Sequence, residues 1–349
     1  MIPGPSERKF ATLADEPMAS VVIVIPTLLG GPPLDRCLAA LRRQIYQDFE
    51  VIIVNNGQDN GVDSHSGFAR VLQMPRNVGF GAAINAAIRI SDAALIATLN
   101  DDTEPDPGWL EALVREIDSD PRVGMCASQI RLFQTERLDS AAMLICLDGS
   151  SKQRGGSMPP ESYSQSGDAL LPSACAALYR RRMLDQIGLF DEDFFLYCED
   201  TDLGLRAQWA SWRCRYAAGA SARHHYSLTA GPVSRLKAHL VERNRIWLAI
   251  KNFPPRLLLA LPFVSFARYV AQLRSIGSSG SAANGFVQSG QSLWTAAGII
   301  IRAHWETLLE LPRLIRKRNI VLSTRSIGAD EFIQIVTLHE ITAREIGQA

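Results

Sequence analysis

From Val21 onward the chain repeats one pattern: a short run of β-branched residues, a polar exit, and a segment with apolar residues at helical spacing. VVIVIPT (Val21 to Thr27) reads as a buried strand, followed by a helix whose face is Leu34, Leu38 and Leu41. EVIIV (Glu50 to Val54) is the second strand, closed by the loop Asn55 to Asp63. Arg70 to Gln73 is a third strand, Gly79 to Ile90 a helix, and Ala93 to Leu99 a fourth strand. This order predicts an α/β fold, a mostly parallel mixed sheet with helices on both faces. Ligands of such sheets sit beyond the carboxyl ends of the strands. The exits Asn55-Asn56-Gly57 and Asn100-Asp101-Asp102 are therefore assigned to one site.

The pattern continues with a helix over Pro107 to Asp118, a strand over Val123 to Ile130 and a strand plus short helix over Cys175 to Leu189. Gln134 to Asp168, rich in Ser, Gly and Pro, reads as a loop long enough to act as a lid. Phe190 to Tyr197 is an aromatic, acidic turn, and Glu199 to Ala210 a helix with Leu203, Leu205 and Trp209 facing a core. Asp202 and Arg206 are spaced for an i,i+4 ion pair. Three regions are expected: a disordered leader over 1–18, an α/β domain over 19–230 that holds the strand exits, and a basic helical region over 231–349.

Charge supports that division. The 349 residues hold 36 Lys+Arg and 36 Asp+Glu, yet Gly231 to Ile320 has 13 basic residues against 3 acids. An acidic body thus carries a basic C-terminal third, and the overall balance argues against a nucleic-acid binder. Six scattered cysteines without a C-x-x-C pair read as reduced, buried thiols of a cytoplasmic protein. The leader has no apolar run, and Pro262 and Arg268 break the apolar stretch Leu257 to Ala267, so no membrane-spanning helix is expected.

Several residues could carry chemistry. Asn100-Asp101-Asp102-Thr103 offers oxygen ligands where a diphosphate would lie, and Mg²⁺ or Mn²⁺ needs only one or two carboxylates beside phosphate oxygens; the plain alternative is a solvated turn. Glu199-Asp200 follows Phe194-Phe195-Leu196-Tyr197, and a carboxylate beside apolar rings suits a general base; the alternative is a helix cap. His224 and His225 are metal or phosphate ligands or structural histidines, and Arg243-Asn244-Arg245 is a phosphate contact or a solvated face. Asn77-Val78-Gly79-Phe80-Gly81 could turn helix amides toward an anion.

The linear order is more telling than any single motif. PT, NNG, NxGFGxAxN, NDDT, FDEDFFLYCEDTDLGLR and HH, in that sequence, resemble the family 2 glycosyltransferases of GT-A fold, and within them the rhamnosyltransferase-like branch. The resemblance covers roughly Val21 to Pro255 and implies a role for each matching position. Pro26, Thr27, Asn55 and Asn56 match positions that hold base and ribose. Asn77, Gly79, Asn100 and Asp101 complete the nucleotide site. Asp102 matches the principal metal ligand, with His224 assisting metal or diphosphate, and Asp200 matches the catalytic base, supported by Glu199. Asn55 and Asn100 stand where the family often has Asp, and Gln58 where Ser is usual.

The implied activity is inverting, metal-dependent transfer of a sugar from a nucleoside-diphosphate donor to a glycan or polyprenyl-linked acceptor in cell-surface polysaccharide synthesis. L-rhamnose from dTDP-rhamnose is the first expectation and a UDP-hexose the second. Phe194, Phe195 and Trp209 would frame the acceptor or fill the core. The basic helices would lie on an anionic inner leaflet or form a homodimer interface. A nucleotidyltransferase and a non-catalytic scaffold of the same fold are the competing classes.

Overall fold

The computed structural model describes residues 20–57, 62–65, 67–225, 234–277 and 282–348. The expected leader, Gln58 and the boundary at Gly231-Pro232 lie outside them. Twelve strands are present among the described residues: β1 (Val21–Thr27), β2 (Phe49–Asn55), β3 (Arg70–Gln73), β4 (Leu95–Leu99), β5 (Thr103–Pro105), β6 (Val123–Leu132), β7 (Leu138–Ala141), β8 (Met143–Ile145), β9 (Ser151–Gln153), β10 (Gly167–Ala169), β11 (Ala176–Arg180) and β12 (Arg213–His224). The main sheet runs β10-β12-β6-β11-β4-β1-β2-β3, with β5 on β12 and β7 on β6. β3, β2, β1 and β4 are mutually parallel, whereas β11 enters antiparallel between β4 and β6. The sheet is therefore mixed and mostly parallel in its first half.

Side-chain alternation explains why β1 carries no polar residue before its end. Val22 and Val24 enter one core layer, and Val21, Ile23 and Ile25 enter the other. A strand covered on both faces needs apolar side chains at every position. The covering helices of this half are α1 (Gly31–Leu41), α2 (Phe80–Ile88), α3 (Trp109–Asp118), α4 (Arg181–Ile187) and α5 (Glu199–Trp209).

Gln134 to Asp168 is not the bare loop expected. It holds β7, the β8-β9 hairpin and the start of β10, and its apolar residues Leu138, Ala141 and Ile145 are buried. Short strands with one apolar residue in two leave little periodic signal, so the segment read as irregular.

The C-terminal region is helical: α6 (Arg235–Asn252), α7 (Pro255–Arg274), α8 (Ala282–Gln288), α9 (Leu293–Ser323), α10 (Ala329–Leu338) and α11 (Ala343–Gln348). Trp247, Phe253, Leu314 and Phe332 form a third core with Leu205, Trp209 and Phe194 of the catalytic half. Pro262 does not end α7, as the sequence had implied; the helix passes through it for 20 residues. Among the described residues α7 is thus one helix long and apolar enough to cross a bilayer by length and composition, with 17% of its apolar window buried. Its Arg268 nevertheless points inward, to Asp148 at 2.5 Å and Glu242 at 2.8 Å.

The charge asymmetry has an internal explanation. Lys251 bridges Asp191 and, at 2.8 Å, Asp202. Lys317 reaches Asp191 at 2.5 Å and also Asp193, and Arg313 pairs with Asp193. Arg245 pairs with Glu242 and lies 3.6 Å from Asp148. Arg245, Lys251, Arg268, Arg313 and Lys317 of the last third are thus matched by Asp148, Asp191, Asp193 and Asp202 of the acidic body.

Candidate active site

A cleft of about 710 Å³ opens at the carboxyl ends of β1, β2 and β4. Pro26 and Thr27 from β1, Asn56 from the next strand exit, Asn77 and Gly79 before α2, and Asn100, Asp101 and Asp102 after β4 all line it. Glu199 and Asp200 at the start of α5 and His224 at the end of β12 line the same space. Asn55 does not. Its amide turns along the sheet to Gln73 Oε1 at 2.7 Å, while its Oδ1 accepts from the Gly57 N–H at 3.3 Å.

Two of these polar residues shape the cleft floor. Asn56 donates to Asn77 Oδ1 and the Gly79 carbonyl, both at 3.1 Å, and accepts from the Val78 N–H at 2.9 Å. Thr27 donates to Asp101 Oδ2 at 2.5 Å and accepts from the Gly30 N–H at 2.9 Å. Burial pushes the Asp101 carboxyl up to about 6, against the Thr27 hydrogen bond that lowers it. The glycine before α2 has a different role from the expected anion cradle. Gly79 sits at φ 89°, and a Cβ there would lie 2.3 Å from the Phe195 carbonyl. That carbonyl also accepts the Phe80 N–H at 2.8 Å, so a helix amide that could have faced an anion serves the aromatic turn.

Asp102 and His224 meet because β5 pairs with the end of β12. His224 Nε2 lies 3.2 Å from Asp102 Oδ1 and Nδ1 3.0 Å from Asp139 Oδ2. Burial opposes protonation of this imidazole, but the neighbouring Cys175 and the two carboxylates outweigh it and hold the group far above its ordinary value. His225 instead bonds Glu104 at 2.8 Å and stacks on Phe133, which makes it structural.

Among the described residues no three His, Cys, Asp or Glu side chains gather into a metal cage. The donors present still fit a divalent cation that takes the place of the His224 Nε2 proton: a carboxylate at a strand end, an imidazole whose far nitrogen is held by Asp139, and an open cleft for phosphate oxygens.

Asp200 is half-buried at the cleft wall and well supplied with donors. Oδ2 accepts from the Ala174 N–H at 3.2 Å, and Oδ1 accepts from the Thr201 N–H at 2.7 Å and the Thr201 hydroxyl at 3.2 Å. Glu199 Oε2 is buried with no partner. Burial raises both carboxyls, and the charge of Asp200 raises Glu199 further. Of the aromatic residues, Phe195 lines the cleft, but Phe194 and Trp209 are core. Trp209 stacks on Phe332 with centroids 4.1 Å apart. Asp139, Tyr197 and Lys237, none singled out from sequence, also line the cleft; only Tyr197 lay within a quoted motif.

This geometry has known relatives. Residues 22–188 match the family model "Glycosyl transferase family 2". The chain carries a family 2 glycosyltransferase domain. It is 29% identical over 248 residues to the N-acetylglucosaminyl-diphospho-decaprenol L-rhamnosyltransferase of Mycobacterium tuberculosis, covering 62% of this chain and 80% of that one. A pre-mycofactocin glycosyltransferase of the same organism is 30% identical over 231 residues, covering 64% of this chain and 44% of its own. Among solved structures, GalNAc-T7 with UDP, GalNAc and Mn²⁺ superposes with a TM-score of 0.58 at 13% identity, over 73% of this chain and 51% of that one. S. aureus TarS 1-349 gives 0.51 at 18%, over 91% and 90%. The likeness to GalNAc-T7 and TarS shows a GT-A-like architecture, and the family 2 domain makes the protein a glycosyltransferase. The family match ends before Glu199, Asp200 and His224, so their roles rest on the geometry above.

Proposed function

We propose that the enzyme is an inverting, metal-dependent glycosyltransferase that moves L-rhamnose from dTDP-rhamnose to a polyprenyl-diphosphate-linked glycan. The observation that carries this reading is the cleft itself, where the Asp102-His224 pair and the half-buried carboxylate of Asp200 surround one space beside the strand exits. The mycobacterial rhamnosyltransferase supports the choice of sugar and of a lipid-linked acceptor.

In this reading Pro26, Thr27, Asn56, Asn77, Gly79, Asn100 and Asp101 surround the nucleoside diphosphate, with Asn55 supporting from the end of β2 through its bond to Gln73. Asp102 and His224 would hold Mg²⁺ or Mn²⁺, which supplies charge neutralisation for the departing diphosphate. Asp200 takes the proton of the acceptor hydroxyl. The hydroxyl oxygen bonds to the anomeric carbon as the bond to the diphosphate breaks on the opposite face. Glu199, the more readily protonated neighbour, leaves the negative charge on Asp200.

Thermal melts with dTDP, UDP and GDP, each with and without Mn²⁺, test the donor half. A ligand bound only to the folded state raises the melting temperature. A metal-dependent shift with dTDP, lost in Asp102→Ala, is expected; a shift with UDP alone would move the donor to a UDP-hexose, and none with any nucleotide would sink the reading. Asp200→Asn is expected to lower kcat about 10²- to 10⁴-fold with nucleotide affinity unchanged, and retained turnover would refute the base.

The proposal extends to the acceptor's setting at the inner face of the plasma membrane. Phe263 and Phe266 of α7 and Ile301, Trp305 and Leu308 of α9 are exposed, and the two helices share an apolar hollow lined by Tyr269, Ile300 and Trp305. An exposed apolar patch of this kind fits a lipid surface. Flotation with anionic liposomes is the corresponding test.

A further inference from the structure

The turn that delivers Asp200 has an unfavourable backbone. Phe195, Tyr197 and Cys198 hold φ of 63°, 71° and 69° in the five residues before α5. Residues with a Cβ disfavour that region, and a run of them persists only where the surroundings over-determine it. The restraint is visible on both sides. Toward the sheet, the Phe195 carbonyl is fixed by the Phe80 N–H and abuts Gly79. Toward the C-terminal region, one side chain of α6 reaches three more carbonyls of the turn.

That side chain is Asn244, which is fully buried. Its Nδ2 donates to the carbonyls of Phe194 at 3.0 Å, Leu196 at 2.9 Å and Tyr197 at 2.8 Å. An amide nitrogen has two hydrogens, so one of them is shared between two of these acceptors. The amide's own orientation is set by Arg243, whose Nε donates to Asn244 Oδ1 at 2.9 Å. Arg243 also donates through Nη2 to the Phe194 carbonyl at 3.2 Å. The Cys198 carbonyl in turn accepts the Asp202 N–H at 2.8 Å and starts the helix that carries Asp200.

We propose that Asn244 is the positioning residue of this enzyme's catalytic turn: by gathering three carbonyls of Phe194–Tyr197 it fixes the direction in which Asp200 enters the cleft. The inference rests on the reading of Asp200 as the general base. It makes α6 part of the catalytic apparatus although none of its atoms needs to touch the reacting centre. Only a side chain with two convergent N–H donors can serve; an alanine, or an aspartate with acceptors alone, cannot.

The test compares wild type, Asn244→Ala and the milder Arg243→Gln in the full chain, by hydrogen exchange, melting, nucleotide affinity and steady-state kinetics. In Asn244→Ala, amides of the 195–200 segment should exchange roughly tenfold faster while those of β1 do not change. Turnover should fall about 10- to 100-fold, with nucleotide affinity and donor KM unaltered, and Arg243→Gln should show the same pattern at smaller size. Unchanged exchange in the turn would overturn the clamp, and faster exchange with full turnover would overturn its catalytic role. If Asn244→Ala does not fold, Arg243→Gln is judged by the same two readouts. Full turnover in Asp200→Asn would remove the base reading and the catalytic part of this proposal, whereas exchange judges the clamp by itself.

Discussion

Glu199 and Asp200 are neighbours in sequence with very different surroundings. Asp200 accepts hydrogen bonds from Ala174 and Thr201, while Glu199 Oε2 is buried without a partner. The shared proton therefore favours Glu199, whose carboxyl is raised from 4.5 to about 8 by burial and then by the charge of Asp200. The sign of the stability effect follows. A carboxyl raised in the folded state binds more protons folded than unfolded, so its contribution is fully present below about pH 4.5 and is lost as pH rises toward about 8. Glu199→Gln removes that loss. The variant should melt higher than wild type at pH 8, with a smaller difference at pH 5, and should keep most of its turnover. Thermal melts at the two pH values check this; an equal shift at both would show that Glu199 does not hold the proton.

Helices α7 and α9 show how an element's two faces can serve different ends. Inward, Arg268 of α7 engages Asp148 and Glu242. Outward, Phe263 is 77% and Trp294 88% exposed. The cations expected to bind anionic lipid are largely engaged inside the protein, as Arg245, Lys251, Arg268 and Lys317 illustrate. Flotation on anionic liposomes is therefore expected to depend on apolar insertion and only weakly on salt. Burying a Phe-sized side chain contributes about 1.5 to 3 kcal/mol. Phe263→Asp combined with Trp305→Asp should lower liposome binding more than roughly tenfold. No flotation by wild type would sink the membrane assignment, and a concentration-dependent dimer in its place would assign this face to a second subunit.

Across the whole molecule, complementary charge joins the helical third to the catalytic body. Lys251 is the centre of that junction, with a side chain 3% exposed between Asp191 and Asp202. Asn252 donates to the same Asp202 at 2.9 Å, and Arg206 joins it from within α5. Removing one partner of a buried pair leaves an uncompensated charge, at a cost of about 3 to 5 kcal/mol. Lys251→Met should lower unfolding stability by that order in urea titrations at neutral pH. A change below about 1 kcal/mol would mean that the junction behaves like an exposed ion pair.

The strand runs, their polar exits and the Asp202-Arg206 pair were legible in the sequence because each is a local pattern. Burial on both faces demands unbroken apolar runs, and an i,i+4 spacing brings two side chains together on any helix. The same locality made Asn56, Asp102 and Asp200 visible as polar residues at element ends. What tertiary structure alone decided is where those residues turn and who holds them. Asn55 was diverted to Gln73 by the neighbouring strand, Asp139 reached His224 across 85 positions, and Asn244 reached the turn before α5 across about 50. Trp209 and Phe194 were claimed by the third core, and Pro262 was carried within a helix whose remaining hydrogen bonds and packing outweigh one lost donor. Periodicity in a sequence records that a face will be covered. Which distant segment covers it depends on chain closure and packing, and those are settled only when the whole chain has folded.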